Sequence, residues 1–199
     1  MADYNSIDHI QEFQLDQDEL NQELEKLVHE KMERDRLEKE QHSNIGGWQS
    51  ERDLHTKLDI NDPSTIPLIK LLASFSDPIN EYLRECCEIS DIKSNKNYEW
   101  EYTGTWFNVS VREGYNAPHT HPLSEISGAY YVRTEDPPPE HPFSGRIDFF
   151  YKNISEHYFP KPGTLILFPG TMLHFVHPYY GTNPRICFSF NTNKIHIIE

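Results

Sequence analysis

The sequence contains few cysteines, and those present do not form a disulfide pattern. There are three among 199 residues. Cys86 and Cys87 are adjacent, and Cys187 lies far from both. Disulfide-stabilised small domains carry an even set of cysteines at regular spacings. The sequence therefore predicts reduced thiols and a reducing compartment such as the cytoplasm.

Basic charge and long apolar segments are also scarce. Lys and Arg number 18 against 32 Asp and Glu, which gives a formal net charge of −14. Phosphate backbones and anionic membrane surfaces repel such a chain. No apolar run approaches the ~18 residues of a membrane span, and residues 1–4 lack the basic start of a signal peptide. We therefore expect a cytoplasmic protein that binds neither nucleic acid nor membranes.

Helical patterns come first along the chain, and strand patterns follow. Apolar residues at helical spacing predict a helix over residues 16–41 and a second helical region over residues 62–89. From residue 98, short segments rich in β-branched and aromatic residues alternate with Gly, Pro and Asn turns. We predict an α+β, mainly β fold, in which a helical region, residues 1–95, packs on a β-core, residues 96–199, within one structural domain.

Three histidines are spaced as metal ligands. His119 and His121 are separated by one residue, so their side chains share a face if the chain is extended there. His174 follows a predicted buried strand and supplies a third imidazole, whereas His177 points the other way in a strand. Imidazole suits Fe, Zn, Ni and Cu, so the sequence predicts a mononuclear metal site.

Arg185 begins a strand that alternates between small polar and large apolar residues. Cys187, Ser189 and Asn191 share its face, and Ile186, Phe188 and Phe190 share the other. An arginine on the inner face of a core strand needs a charged partner. That partner is either a carboxylate of this protein or a bound dicarboxylate.

The order of these motifs resembles a family of 2-oxoglutarate/Fe(II)-dependent oxygenases that is common in marine bacteria and their phages. The matching segments are His119 to Val132, Gly163 to Pro169, His174, Arg185 to Asn191, and Ser43 to Ser50 further upstream. The resemblance implies a double-stranded β-helix (jelly roll) with N-terminal helices packed on one sheet. It also implies Fe(II), 2-oxoglutarate and O₂ as the reactants that accompany an unknown primary substrate, in a bacterium or in an infected host cell.

The same resemblance implies roles for individual residues. His119 and His174 become iron ligands, and Arg185 binds the far carboxylate of 2-oxoglutarate through its two-pronged guanidinium. Tyr130 and Tyr131 alternate along their strand, so one of them faces the barrel interior, and we take Tyr131 and Asn108 as candidates to bind 2-oxoglutarate. Each of these two is otherwise an ordinary polar residue of the core.

The sequence departs from the family at His121, where an Asp or Glu is usual. A set of three histidines is still a competent metal site. The third ligand is therefore His121 or a carboxylate from elsewhere, with Glu125 and Asp148 as candidates.

Two other functions remain open at this point. A dioxygenase of the cupin type with three histidine ligands would need no keto acid, and hence no Arg185. A phage or bacterial accessory protein could keep a metal without catalysis. The apolar side of the helix over residues 16–41 packs on the sheet or, if exposed, forms a homodimer.

Overall fold

The computed structural model describes residues 9–35, 43–86, 98–151 and 154–197. In these ranges the helices are α1 (Asp18–Arg34), α2 (Ile66–Ser74) and α3 (Ser76–Cys86), and one turn of 3-10 helix covers Leu54–Lys57. The strands are β1 (Gln11–Gln14), β2 (Asn44–Gln49), β3 (Tyr98–His119), β4 (Ile126–Arg133), β5 (Ile147–Tyr151), β6 (Ile154–Tyr158), β7 (Thr164–Pro169), β8 (Leu173–Val176) and β9 (Arg185–Ile197). The predicted mainly β class is confirmed.

These strands form one antiparallel sheet that curls on itself. Its order is β1-β7-β4-β9-β3-β8-β5-β6, and β2 pairs with β3 beside this path. The long strand β3 changes partner along its length, because residues 98–110 pair with β9 whereas Asn116 and His119 pair with β8. This change of partner carries the sheet from one layer to the next. The result is the double-stranded β-helix that was predicted.

The helices cover one face of the sheet. Phe75 at the end of α2 stacks on Phe190 of β9, with ring centroids 5.0 Å apart. The hydroxyl of Tyr130 in β4 donates to Oδ1 of Asn21 in α1 at 2.7 Å. The other fully buried apolar residues of this core include Leu24, Val28, Leu71, Ile79, Phe107, Leu165 and Phe188. The predicted packing of N-terminal helices on one sheet is therefore confirmed.

Helix α1 differs in length from the prediction. It begins at Asp18 rather than at residue 16, and acidic residues in the first turn with basic residues in the last turn favour the helix dipole. The predicted end near residue 41 lies outside the described residues. Leu20, Leu24, Leu27, Val28 and Met32 all pack against the core. The sheet thus covers the apolar side on which the homodimer prediction depended.

The N-terminal region supplies strands as well as helices. β1 pairs with β7, and β2 pairs with β3. Gly46 and Gly47, residues typical of turns, instead lie at an irregularity inside β2. Gly46 has a φ of 72°, and a side chain on Gly47 would collide with the carbonyl oxygen of Val109. Glycine here permits close strand pairing rather than a turn.

A second apolar cluster lies on the inner face of the sheet. It includes Ala129, Tyr131, Ile147, Phe149, Ile166, Phe168 and Cys187. Adjacent residues of β4 and β9 therefore serve different cores, as strand alternation requires. No helix in the described ranges is long and apolar enough to cross a membrane.

Candidate metal and co-substrate site

Three imidazoles meet where β3 ends and β8 begins. His119 is the register partner of His174 across these strands, and their ring centroids are 4.2 Å apart. The ring of His121 lies 5.0 Å from that of His119 and 5.2 Å from that of His174. One nitrogen from each ring falls within 4.8 Å of the other two. The three rings can therefore hold one face of a single metal ion.

Backbone carbonyls fix the orientation of two of these rings. Nδ1 of His119 lies 2.7 Å from the carbonyl oxygen of Ala117, and Nδ1 of His174 lies 2.9 Å from that of Met172. A carbonyl oxygen only accepts, so each Nδ1 carries the proton and donates it. The Nε2 lone pairs remain for a metal. Such outer hydrogen bonds are typical of metal-ligating histidines.

The electrostatics of the cluster keep the imidazoles neutral. Burial lowers the pKa of His174 to about 3, and the neighbouring His119 acts in the same direction. Burial also lowers the pKa of His121 to about 3, assisted by His174, His119 and Arg52. The pKa of His119 is lowered too, mainly by burial. Neutral imidazole is the form that binds a metal.

A tight turn places His121 beside the other two rings. Its backbone N–H donates to the carbonyl of Gly170 at 2.6 Å, and the N–H of Ser124 donates to the carbonyl of His121 at 3.0 Å. A Cβ on Gly170 would collide with the carbonyl oxygens of both Ser124 and His121. Glycine at position 170 is therefore required for this approach.

The imidazoles border a cavity on the inner face of the sheet. Arg185 lines it and is only 2% exposed. Its Nε has no hydrogen-bond partner, and no ion pair among the described residues involves it. A buried charge without a partner is costly. The sequence left two partners for Arg185, a carboxylate of this protein or a bound dicarboxylate. The described residues do not supply the first of these.

Tyr131 and Asn108 also line this cavity. The guanidinium carbon of Arg185 lies 4.8 Å from the ring centroid of Tyr131. Burial raises the pKa of the Tyr131 hydroxyl, so the group stays protonated, and it has no partner among the described residues. Asn108 donates from Nδ2 to Ser189 Oγ at 2.9 Å, but its buried Oδ1 is unpaired. The cavity thus offers unpaired polar atoms beside the imidazoles.

The carboxylates considered as third ligands lie elsewhere. Oδ2 of Asp148 accepts from Arg146 at 2.7 Å and lies 3.2 Å from Nε2 of His177. Glu125 contributes no ligand atom to the histidine cluster either. Among the described residues, the cluster therefore consists of imidazoles alone, and His177 belongs to the neighbourhood of Asp148.

Three further residues line the cavity, and two of them, Trp106 and Ser43, were not assigned to the site from the sequence. Trp106 shares a face of β3 with Asn108 two positions on, and its ring centroid lies 5.8 Å from that of His121. Ser43 Oγ lies 3.4 Å from Nε2 of His119, and Asn116 completes this side of the cavity. The Ser43 contact spans 76 residues and depends on the unpredicted pairing of β2.

Residues 104–191 match a protein family described as "Putative 2OG-Fe(II) oxygenase". The sequence matches no curated protein significantly. Two solved structures share the fold over nearly the whole chain. A prolyl-4-hydroxylase of Pseudomonas putida has a TM-score of 0.66 at 13% identity, with 94% of this chain and 93% of that chain covered. A prolyl hydroxylase of Trichoplax adhaerens, in complex with a hypoxia inducible factor peptide fragment, has a TM-score of 0.67 at 12% identity, covering 95% and 88%.

A third structural relative has a different named activity. SnoK, a non-heme α-ketoglutarate-dependent carbocyclase from nogalamycin biosynthesis, has a TM-score of 0.64 at 7% identity, with 95% of this chain and 80% of that chain covered. At these identities the solved structures establish the shared fold. The family match supplies the reaction class and its cofactors, Fe(II) and 2-oxoglutarate.

Proposed function

We propose that this chain, whose residues 104–191 match a 2-oxoglutarate/Fe(II) oxygenase family, holds iron through His119, His121 and His174 and binds 2-oxoglutarate through Arg185. The observation that carries this assignment is the buried guanidinium of Arg185, which has no carboxylate partner among the described residues and shares one cavity with the three imidazoles. Fe(II) and 2-oxoglutarate, when bound, supply the oxidation: O₂ is consumed, 2-oxoglutarate becomes succinate and CO₂, and the substrate gains oxygen.

Arg185 binds the carboxylate of 2-oxoglutarate that is distant from the keto group. Its guanidinium offers a rigid set of donors that matches a carboxylate, and the pair forms charge-assisted hydrogen bonds in a site shielded from water. Burial strengthens this attraction, because screening by solvent is reduced. The guanidinium of Arg185 thereby favours a ligand that carries a second carboxylate.

Tyr131 and Asn108 orient the same ligand. The protonated hydroxyl of Tyr131 donates a hydrogen bond to a 2-oxoglutarate carboxylate beside Arg185. The amide of Asn108 is held through Ser189, which fixes the direction of its remaining polar atom. When the ligand is bound, the buried polar atoms of both residues gain hydrogen-bond partners. This offsets the free-energy cost of burying these atoms unpaired.

His121 replaces the carboxylate that is usual in this position. Three neutral imidazoles give the ion less negative charge than two imidazoles and a carboxylate, so we expect weaker retention of Fe(II). The Gly170 turn compensates in part, because it holds the third ring in place before metal arrives. Glu125 and Asp148 take no part in this proposal.

A thermal-shift experiment tests the proposal without knowledge of the substrate. The protein is melted alone, with Mn(II), with N-oxalylglycine, and with both. A ligand that binds only the folded state at 100 times its Kd adds about 2.7 kcal/mol of stability. We expect Mn(II) to stabilise the protein and N-oxalylglycine to add a further shift only when Mn(II) is present.

Two outcomes contradict the proposal in different ways. Stabilisation by Mn(II) with no effect of N-oxalylglycine would favour the dioxygenase that needs no keto acid. The absence of any stabilisation by Mn(II) would contradict metal binding by the three histidines. The homodimer, the cytoplasmic location and the phage or bacterial origin stay predictions from the sequence.

A further inference from the structure

The segment from Ser43 to Ser50 carries a motif that the proposed function does not explain. One serine flanks β2 on each side, Ser43 before the strand and Ser50 after it. The hydroxyl of Ser50 is occupied by backbone groups, because it donates to the carbonyl of Glu51 at 2.9 Å and accepts from the N–H of Phe107 at 3.0 Å. Ser43 differs, because it is half-buried, lines the cavity and contacts the histidine cluster.

One residue, Ala117, holds both Ser43 and His119 in place. The N–H of Ala117 donates to the carbonyl of Ser43 at 2.9 Å, and the carbonyl of Ala117 accepts from Nδ1 of His119 at 2.7 Å. Beside this contact, Asn44 is the register partner of Asn116 across β2 and β3. The backbone of Ser43 is therefore fixed relative to the ring of His119. Its hydroxyl can change partner only by rotation of the side chain.

The hydroxyl of Ser43 contacts the nitrogen of His119 that the proposed function assigns to the metal. Ser43 Oγ lies 3.4 Å from Nε2 of His119. Because Nδ1 carries the proton, Nε2 can only accept, and the hydroxyl donates. At this distance the hydrogen bond is long and weak. A metal that binds Nε2 takes the same lone pair, so the hydroxyl loses this acceptor while its backbone stays in place.

Ser43 is the described side chain that reaches the ring nitrogens of the cluster. No other side chain among the described residues hydrogen-bonds a ring nitrogen of the three histidines. The remaining partners are the backbone carbonyls of Ala117 and Met172, and neither residue lines the cavity. Three imidazoles on one face of an iron leave open positions for other ligands. Ser43 is thus placed to act on a ligand at one of these positions.

We propose that Ser43 is a further binding residue of the metal site. Once His119 binds the metal, the hydroxyl of Ser43 donates a hydrogen bond to the small ligand that occupies the coordination position beside His119. This inference rests on the proposed function and adds a residue to it. It also gives the segment a role at the site, because Gly47 permits the close pairing of β2 with β3 that brings Ser43 to the cavity.

Azide is a suitable probe, because it is a small anion that binds open positions of a metal and accepts hydrogen bonds. The protein is loaded with Co(II), whose visible absorption reports both metal binding and the arrival of azide. We expect Ser43→Ala to weaken azide binding about tenfold, since a hydrogen bond to a charged acceptor is lost. The affinity for Co(II) should stay within about threefold of the wild type, because a long hydrogen bond competes only weakly for Nε2.

Two further variants assign the loss to the hydroxyl. Ser43→Thr keeps a hydroxyl and should bind azide within about threefold of the wild type. Ser50→Ala is the matched control, because it removes a hydroxyl at the other end of β2, where the group bonds to the backbone and does not line the cavity. It should lower the unfolding temperature and leave azide binding unchanged.

Several results would overturn the inference. These are no azide binding by the Co(II)-loaded wild type, an unchanged azide affinity in Ser43→Ala, and an equal loss in Ser43→Thr or Ser50→Ala. A fall in Co(II) affinity of more than about tenfold in Ser43→Ala would also overturn it, because Ser43 would then be a ligand or a support of the ligands. Absence of Co(II) binding by the wild type is distinguishable from all of these, since it would refute the histidine site on which the inference rests.

Discussion

Neighbouring residues of β4 and β9 lie on opposite faces of the sheet and differ in their hydrogen-bond partners. Tyr130 and Tyr131 are both fully buried, yet Tyr130 donates to Asn21 on the helix side, and Tyr131 has no partner on the cavity side. Ile186 and Phe188 likewise belong to the helix-covered core, whereas Arg185 lines the cavity. The helix side supplies the partner of the Tyr130 hydroxyl, although Nδ2 of Asn21 is itself unpaired. The cavity side leaves the Tyr131 hydroxyl and Nε of Arg185 unpaired.

Residues on the helix side and residues on the cavity side should therefore contribute to different properties, stability and ligand binding. An unpaired buried polar group costs about 1–3 kcal/mol, and the cavity side accepts that cost at Arg185, Tyr131 and Asn108. Substitutions on the helix side should therefore lower stability. Substitutions on the cavity side should chiefly change ligand binding.

The largest effect is expected at the metal ligands. His174→Ala should lower metal affinity by more than about 100-fold, because even outer partners of metal ligands change affinity by about 10–100-fold. His177→Ala is the control, since His177 lies beside Asp148 and outside the cluster. Isothermal titration with Mn(II) measures both. Similar affinities for the two variants would break the assignment of the ligands.

Arg185 and Arg146 form the next comparison, because Arg146 has an acidic partner in Asp148 and Arg185 has none among the described residues. Arg185→Gln should weaken 2-oxoglutarate binding about 100-fold and leave the stability of the ligand-free protein unchanged or higher, because it removes an unpaired buried charge. Arg146→Gln should instead lower the free energy of unfolding, by up to about 3 kcal/mol, with little effect on 2-oxoglutarate. Urea denaturation and ligand titration give the two quantities, and a reversed pattern would refute the division between faces.

A smaller effect should come from the turn that positions His121. Gly170→Ala introduces a Cβ against the carbonyl oxygens of Ser124 and His121, so the turn must move and carry the third imidazole with it. Metal affinity should fall about tenfold, the lower end of the range for supporting groups. Gly104→Ala is the control, because the nearest atom to a Cβ there is 3.5 Å away. An unchanged affinity in Gly170→Ala would mean that His121 contributes little to the metal site.

The smallest effects are expected at the adjacent tyrosines of β4, where the same substitution can be made on both faces. Tyr130→Phe should cost about 1–2 kcal/mol of stability, because it leaves Oδ1 of Asn21 buried without its donor. Tyr131→Phe should be neutral or stabilising in the ligand-free protein and should weaken 2-oxoglutarate binding several-fold. Thermal unfolding and titration of both variants decide the matter. Equal stability losses would place both hydroxyls in the same role.

Local patterns explain why much of the fold was predictable. The alternation of Arg185, Cys187 and Ser189 against Ile186 and Phe188 predicted the two faces of β9, because strand periodicity depends only on neighbouring residues. Amphipathic spacing predicted α1 and the helical region that contains α2 and α3. The motif order also led to the oxygenase family, which the match over residues 104–191 bears out.

Long-range pairing explains what the sequence did not show. β2 was not predicted as a strand, since Gly46 and Gly47 favour turns and nothing local reveals a partner 59 to 72 residues away. Ser43 reaches the site only because β2 pairs with β3, so it was not predicted there. The position of Trp106 beside His121 likewise depends on tertiary contacts.

The central claim is that the cavity holds 2-oxoglutarate and Fe(II) together, and uncoupled turnover tests it most directly. The purified protein is supplied with Fe(II), O₂ and 2-oxoglutarate without any primary substrate, and succinate is measured over time. We expect slow succinate formation that matches 2-oxoglutarate consumption, is lost with a chelator, and falls sharply in Arg185→Gln. Succinate formation that is absent from the Fe(II)-loaded wild type, or equal in Arg185→Gln, would contradict the account.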